Sequence, residues 1–214
     1  MSLEKLKKAK IIIWDFDGVI LNSNGIRSEG FREVLQDYPE DQINHLLEFH
    51  EKNGGLSRFV KFEYFFSEIR KEKVNQKLIG QMVQNFSMIM KKRLLDRRLL
   101  FSDTLNFIEK NYTNKVFYIA SGSEEKELNY LCNQLGIDSY FNNIKGSPKS
   151  KIEIVKEIVE NHKRDLNYTI LIGDSINDFE AALKNDISFF GFNNQELKQL
   201  GEGYIYDFNS ILRT

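Results

Sequence analysis

Two acidic residues directly after an apolar segment are the first in the chain whose spacing suggests chemistry. Asp15 and Asp17 follow the run Ile-Ile-Ile-Trp at 11–14, and Gly18 comes next. Along an extended chain, residues i and i+2 project to the same side, so both carboxylates would face one point. Reactive groups gather where the strands of an open parallel sheet end, which makes this pair a candidate reactive site. An acidic turn with Gly18 at its corner is the alternative without chemistry.

A second acidic pair follows another apolar segment late in the chain. Asp174 and Asp178 come after the run Thr-Ile-Leu-Ile at 169–172 and Gly173. If a helix begins near Ser175, the two carboxylates lie about one turn apart and can share a divalent cation. A helix cap would explain Asp174, but a cap does not require the second acid.

A hydroxyl and two lysines lie at the ends of further apolar runs. Ser121 and Gly122 follow the run at 116–120, and a hydroxyl beside free backbone N–H groups suits a phosphate. The alternative is an ordinary serine cap of a helix. Lys149 and Lys151 precede a helical pattern, where either lysine could reach a phosphate as a point charge or lie solvated in a loop.

The elements that must position these residues are predicted to be strands and helices in alternation. Nearly continuous apolar runs are typical of strands buried on both faces of a parallel sheet. Such runs occur at 11–14, 116–120, 169–172 and 187–190, with a weaker one at 141–144. Between the later runs, apolar residues recur with helical spacing. The order predicts an α/β fold with a doubly wound parallel sheet.

The stretch from 23 to 100 departs from this alternation. It contains no convincing strand and reads as successive amphipathic helices, and a loop of that length without structure would be unusual. We therefore expect a helical cap inserted after the first strand. The predicted division is a catalytic core at 1–22 and 101–214 and a cap domain at 23–100.

Composition limits the class of protein. The chain has 214 residues, with 30 Lys and Arg against 31 Asp and Glu, so it lacks the basic field that nucleic acid or an acidic membrane surface would require. One cysteine excludes an intrachain disulfide, and no apolar run approaches the ~20 residues of a membrane span. We expect a soluble cytoplasmic protein, monomeric or homodimeric, that binds neither nucleic acid nor membranes.

Taken together, the motifs resemble those of the haloacid dehalogenase superfamily of phosphatases and phosphomutases. The resemblance is carried by Asp15-Phe16-Asp17-Gly18-Val19, Ser121-Gly122, Lys151 or Lys149, and Gly173-Asp174 with Asp178. It covers nearly the whole chain, because the insertion falls where that family places its helical cap. The resemblance implies a Rossmann-like core under that cap.

For the acidic residues, the resemblance implies a role in phosphoryl chemistry. Asp15 would attack phosphorus and form an aspartyl-phosphate, while Asp17 would protonate the leaving alcohol and later activate water. Mg²⁺ would be held by Asp15, the backbone carbonyl of Asp17, and Asp174. Asp178 would also belong to this metal site, where it would orient the lysine or a metal-bound water.

The other matched residues would hold the substrate. Ser121, the Gly122 N–H and Lys151 would bind the phosphoryl oxygens, with Lys149 as the alternative lysine. The arginine of Gly55-Leu56-Ser57-Arg58 resembles one in the cap loop of β-phosphoglucomutases, which implies that Arg58 binds an acidic or phosphate group remote from the reaction, with Lys61 one turn on. An exposed arginine at a helix start is the alternative.

The mutase resemblance fails after the first motif, where Asn22 and Arg27 occupy the places of the mutase's aspartate and histidine. We therefore expect a Mg²⁺-dependent phosphatase that hydrolyses a small phosphate monoester, either a sugar phosphate or a phosphorylated small acid. A phosphomutase is the first alternative. A non-catalytic binding relative or a signalling receiver, which also phosphorylates an aspartate beside Mg²⁺, belongs to a different class.

Overall fold

Six parallel strands form one sheet in the computed structural model, which describes residues 2–212. The strands are β1 (Ile11–Trp14), β2 (Val116–Glu124), β3 (Asn143–Ser147), β4 (Thr169–Gly173), β5 (Ser188–Phe192) and β6 (Gly203–Ile205). Their order across the sheet is β3-β2-β1-β4-β5-β6, so β1 lies between β2 and β4. The predicted α/β fold with a doubly wound parallel sheet is confirmed.

Helices cover the connections between the strands. They are α1 (Ser2–Lys8), α2 (Asn24–Val34), α3 (Glu40–Lys52), α4 (Arg58–Tyr64), α5 (Gln76–Arg93), α6 (Ser102–Asn111), α7 (Glu125–Gln134), α8 (Lys151–Glu160), α9 (Ile176–Lys184) and α10 (Phe208–Leu212). A π-helical turn at Phe65–Ile69 extends α4. Within residues 2–212, no helix is long and apolar enough to cross a membrane.

The central strand is apolar throughout because both of its faces are covered. All four residues of β1 are buried, and Trp14 packs edge-on against Phe107 and Phe117. In register, Trp14 pairs with Ile119 of β2 and Ile172 of β4. The residues that follow these positions therefore emerge at one edge of the sheet, as the sequence pattern predicts.

Two details of the sheet differ from the expectation. The second strand does not end at Ala120 but continues to Glu124 through an irregularity in its pairing with β3. Glu124, not Ser121, caps α7, so the serine-cap alternative is wrong. The sequence does not predict the short strand β6, because three residues are too few to show a hydrophobic pattern.

The insertion between β1 and β2, described over its whole length, consists of helices joined by loops and contains no strand element. Its two ends run side by side: the Asn22 N–H donates to the Leu99 carbonyl at 2.7 Å, and the Phe101 N–H donates to the Ile20 carbonyl at 3.0 Å. This pairing occurs where the sequence suggests the boundaries between core and cap. We therefore keep the division into 1–22 with 101–214 and 23–100 as a proposal, and refer to the second part as the cap.

Candidate active site

One lysine joins two of the predicted acidic residues. Lys151 is the first residue of α8, and Ser150 caps that helix in a reciprocal pair with Glu153, which fixes where the helix begins. The Lys151 ammonium lies 2.9 Å from Asp15 Oδ1 and also forms an ion pair with Asp178 Oδ1. All three side chains are at most 5 % exposed, so solvent screens these pairs little.

Asp178 also accepts hydrogen bonds at the start of α9. Its Oδ2 accepts hydrogen bonds from the Ser175 backbone N–H at 3.0 Å and from the Ser175 hydroxyl at 2.6 Å, which fixes the start of α9. One carboxylate thus orients both the lysine and the helix terminus. This geometry fits the positioning role that the resemblance implies for Asp178.

Asp15, Asp174 and Asp178 form a cluster in which one carboxylate oxygen of each lies within 4.8 Å of the others. Asp174 is held in place by Asn24, whose Nδ2 donates to its Oδ2 at 2.8 Å. An all-oxygen set suits Mg²⁺, and three carboxylates against one ammonium leave negative charge that a divalent cation would offset. The residues present therefore fit the predicted metal.

Two carboxyl groups of this cluster, those of Asp15 and Asp174, have raised pKa values because they are buried close to other carboxylates. Burial, together with the negative charge of Asp178, raises the pKa of Asp174 to about 7. Burial and Asp178 also raise the pKa of Asp15 well above its usual range, against the opposing effect of Lys151. These shifts describe carboxylates packed together with too little positive charge near them.

Gly18 is required beside this cluster. Its backbone has a φ of 76°, which favours glycine, and a β-carbon there would overlap the carboxylate of Asp174. A glycine is thus the residue that lets the chain turn immediately after Asp17 without displacing Asp174.

Asp17 has a different set of partners from Asp15. Its Oδ1 accepts hydrogen bonds from the Ser23 hydroxyl and from Arg27 Nε, both at 2.5 Å, and its Oδ2 accepts one from the Ser123 hydroxyl at 2.6 Å. Burial acts to raise the pKa of Asp17, but the Arg27 charge and these hydrogen bonds prevail and lower it. Asp17 is therefore ionised and turned toward the cap.

The cap closes over the end of β2. A β-carbon added at Gly122 would overlap the carbonyl oxygen of Gly55, so the cap loop rests directly on Gly122. Nearby, the Ser121 hydroxyl is buried and accepts from the Ser123 N–H at 3.1 Å.

A small cavity of about 30 Å³ remains between cap and core. Since one water fills roughly 10–15 Å³ on this measure, the space holds about two waters and is too small for a phosphate ester. A second cavity, of about 140 Å³, shares Leu56 and Gly122 with the first and is also lined by Lys151. The first cavity is lined by Asp17, Asn24, Arg27, Phe31, His50, Gly54, Leu56, Arg58, Lys61, Phe86, Gly122 and Ser123.

Arg58 reaches this cavity but is already paired. Its Nη1 and Nη2 lie 2.5 and 2.8 Å from the two oxygens of Glu127 on α7, and Nη1 also donates to Ser87 at 2.8 Å. Arg27 Nη1 donates to the same Glu127 at 3.1 Å. Two cap arginines thus meet on one fully buried core carboxylate.

The two candidate lysines occupy different environments. Lys149 pairs with Glu157 on the outer surface, with its side chain 45 % exposed, whereas Lys151 lies against Asp15. Among the predicted residues, the structure brings Asp15, Lys151, Asp174 and Asp178 together and holds Asp17 with Ser123 beside Gly122. It leaves Lys149 apart.

Several residues of this site were not predicted from sequence. Ser123 lies two positions after Ser121 on the same strand, so the period of two offered a signal for it. Glu127 reads in sequence as an ordinary acid in the first turn of a helix, and His50 as a histidine outside every motif. Their roles depend on contacts between cap and core that local patterns do not encode.

Comparison with known proteins gives a consistent result. A sequence model of the family described as haloacid dehalogenase-like hydrolase matches residues 12–192. No curated protein matches the chain. Solved structures with the same fold include a β-phosphoglucomutase from Clostridium difficile, which is 17% identical with a TM-score of 0.76 over 94% of this chain and 92% of that one.

Two further structures are similar over nearly the whole length. A protein described as a predicted phosphoglycolate phosphatase from Haemophilus somnus is 17% identical, with a TM-score of 0.77 over 96% of this chain and 97% of that one. CbbY from Rhodobacter sphaeroides, solved with xylulose-(1,5)bisphosphate, is 13% identical, with a TM-score of 0.75 over 94% and 95%. At these identities the likeness establishes the shared fold.

Proposed function

The chain belongs to the family of haloacid dehalogenase-like hydrolases, and within it we propose that this enzyme is a Mg²⁺-dependent phosphatase acting on a small phosphate monoester. The observation that carries the proposal is the buried cluster of Asp15, Asp174 and Asp178 with the Lys151 ammonium against it. Carboxylate oxygens and one ammonium suit a cation and a phosphoryl group side by side.

Asp15 is the proposed nucleophile. Its carboxylate oxygen forms a bond to phosphorus while the ester bond to the leaving oxygen breaks, which gives an aspartyl-phosphate. Mg²⁺, bound by Asp15, Asp174 and the backbone carbonyl of Asp17, would supply charge neutralisation between phosphate and carboxylate. Lys151 and the Ser121–Gly122 segment would hold the phosphoryl oxygens.

Asp17 is the proposed acid and base. It would give a proton to the leaving oxygen and then take one from the water that attacks the aspartyl-phosphate, which returns Asp15 as a carboxylate. Asp17 is ionised in this structure, because the Arg27 charge and the hydrogen bonds from two hydroxyls lower its pKa against the effect of burial. The first proton must therefore arrive with the substrate or from solvent.

We propose hydrolysis rather than phosphoryl transfer between sugars. The position of the mutase's histidine is occupied by Arg27, whose charge is committed to Asp17 and Glu127. The substrate would be a sugar phosphate or a phosphorylated small acid.

The test is phosphate release from a panel of phosphorylated sugars and acids, with Mg²⁺ and with EDTA. We expect release that requires Mg²⁺, and Asp15→Asn should abolish it while the melting temperature stays near that of the parent. The matched control is Asp186→Asn, an aspartate on the loop after α9 and outside the proposed site. Release that persists in EDTA, or in Asp15→Asn, would contradict the mechanism.

A further inference from the structure

Lys61 is a buried lysine without an acidic partner. Its ammonium lies 2.8 Å from His50 Nδ1 and 3.1 Å from the Gly54 carbonyl oxygen, and the residue is 3 % exposed. Among residues 4–212, no carboxylate lies within ion-pairing distance of it. His50 is neutral, because burial and the neighbouring Lys61 charge lower its pKa to about 2. Both partners of the ammonium are therefore uncharged.

Arg27, which lines the same cavity, also has an unpaired hydrogen-bond donor. Its Nε is used by Asp17 and its Nη1 by Glu127, but its Nη2 is buried and has no hydrogen-bond partner within the described chain. A buried donor without a partner is unfavourable by the full loss of its hydration, so such groups usually serve a ligand or a bound water.

The charges around the cavity do not balance. Arg27, Arg58 and Lys61 supply three positive charges, while Asp17 and Glu127 supply two negative ones. When Lys61 is protonated, one positive charge is left over. A single carboxylate would neutralise it, whereas a dianion would reverse the imbalance.

We propose that Lys61 and Arg27 Nη2 bind a carboxylate on the leaving group of the substrate, which makes the substrate a short phosphorylated hydroxy acid. This rests on the proposed phosphatase function. The carboxylate would lie close to the ester oxygen, since Arg27 spans from the cavity to Asp17, the proposed proton donor to that oxygen. Phe31, Leu56 and Phe86 form apolar walls of the same cavity.

Arg58 then has a different role from the one its sequence position implies. Both of its terminal nitrogens are held by Glu127 on α7, and one also donates to Ser87 on α5. Through these hydrogen bonds, Arg58 fastens the cap to the core. The anion-binding role passes to Lys61, one turn further along α4.

The experiment compares two esters of matched size, 2-phosphoglycolate and ethyl phosphate, which differ by the carboxylate. The wild-type protein should prefer 2-phosphoglycolate in kcat/KM by about 10- to 100-fold, the usual effect of hydrogen bonds to a charged group. Lys61→Met should remove most of that preference, chiefly through KM, and Lys61→Arg should restore part of it. Lys52→Met, an exposed cap lysine, is the control and should keep the preference.

Thermal melting with glycolate separates failure of this inference from failure of the proposed function. Glycolate should raise the melting temperature of the wild-type protein and of Lys52→Met, but not that of Lys61→Met. Equal turnover of both esters, or a preference that survives in Lys61→Met, would overturn the carboxylate site while the phosphatase stands. If neither ester is hydrolysed, the phosphatase proposal fails for these substrates, and the glycolate shift still decides whether Lys61 binds a carboxylate.

Discussion

At the scale of single residues, Lys151 connects the parts of the site. It is the first residue of a capped helix, and its ammonium lies between the proposed nucleophile Asp15 and the positioning residue Asp178. Lys149, two residues earlier, has an exposed side chain and pairs with Glu157. The sequence offered both lysines, and the side-chain contacts favour the second.

This difference gives a direct prediction. Lys151→Met should lower kcat at least about 100-fold, because it removes the charge that would stabilise the transferred phosphoryl group. Lys149→Met should leave kcat within about twofold, since surface ion pairs contribute little. Steady-state kinetics on one active phosphate ester checks both. A large loss in Lys149→Met with a small one in Lys151→Met would reverse the assignment.

Lys61 gives a prediction in pH. Burial, followed by the Arg27 charge, lowers its pKa from 10.5 to about 7, so between these values the unfolded chain binds more protons than the folded protein. Stability should therefore rise with pH across this window, by about 2 kcal/mol between pH 7 and 9. The charged or titratable groups that face this ammonium are Asp17, Arg27, His50, Arg58 and Lys151.

The measurement is urea denaturation of the wild-type protein and of Lys61→Met at both pH values in EDTA. Titration of other groups is common to the two proteins, so their difference in unfolding free energy isolates Lys61. That difference should shrink as pH rises, with Lys61→Met the more stable at pH 7. A difference that does not change with pH would show that Lys61 keeps its ordinary pKa.

At the scale of elements, the cap loop between α3 and α4 rests on the core through glycines. A β-carbon at Gly55 would lie 2.8 Å from the Asn177 β-carbon and 3.0 Å from the Ser175 hydroxyl. Both of these residues belong to the start of α9, whose position is fixed by Asp178. The N-terminus of α9 therefore contacts the cap loop and also contains a residue of the acidic cluster.

Gly55→Ala should therefore hold the cap loop away from the core. We expect kcat/KM to fall about 10- to 100-fold, because displacing a loop that positions the substrate slows the reaction even when the catalytic side chains are unchanged. The control is Gly80→Ala within α5, where a β-carbon meets no atom within 4 Å and should stabilise the helix by about 1 kcal/mol. Equal activity in both variants would mean that the loop does not need this close approach.

The elements also show what local sequence patterns can and cannot predict. The strands β1 and β4 were predicted closely because strands buried on both faces are continuously apolar, and Gly136 marked the end of α7 through its left-handed backbone. The short strand β6 and the extension of β2 to Glu124 were missed. Those features depend on pairing with a neighbouring strand rather than on the residues themselves.

The same distinction holds for the site. Asp15, Asp17, Asp174 and Asp178 could be predicted because they lie at or just after the ends of recognisable strands. The sequence pattern gives Ser123 and Glu127 no role, and it gives Arg27 only the position of the mutase's histidine. Arg27 and Glu127 are 100 positions apart and meet only when the cap closes on the core. Tertiary contacts of this kind leave no periodicity in the sequence.

At the scale of the whole molecule, the buried group of Arg27, Arg58 and Glu127 couples the cap to the core. Glu127 is fully buried on core helix α7, and the arginines come from cap helices α2 and α4. Removing one member of a buried ionic group leaves its partner charged and desolvated, which is more damaging than replacing the pair by apolar residues.

We therefore predict that Glu127→Gln lowers the free energy of unfolding by about 3 kcal/mol. The double variant Arg58→Met/Glu127→Met should be less destabilised than the sum of its single variants. Urea denaturation of the four proteins of this cycle checks the coupling. Strict additivity would show that the two residues do not stabilise each other and would remove the proposed connection between cap and core.

The central claim is that Asp15 carries the phosphoryl group, and rapid acid quenching followed by mass spectrometry tests it most directly. After digestion with pepsin in the acid quench, where an acyl phosphate survives, peptides that contain Asp15 and Asp17 should carry one phosphate from turnover with Mg²⁺, and fragmentation should place that phosphate on Asp15. Asp17→Asn should lower turnover, because formation of the intermediate and its hydrolysis both lose their proton-transfer group. Turnover with an unmodified peptide, or with the phosphate on another residue, would contradict the account.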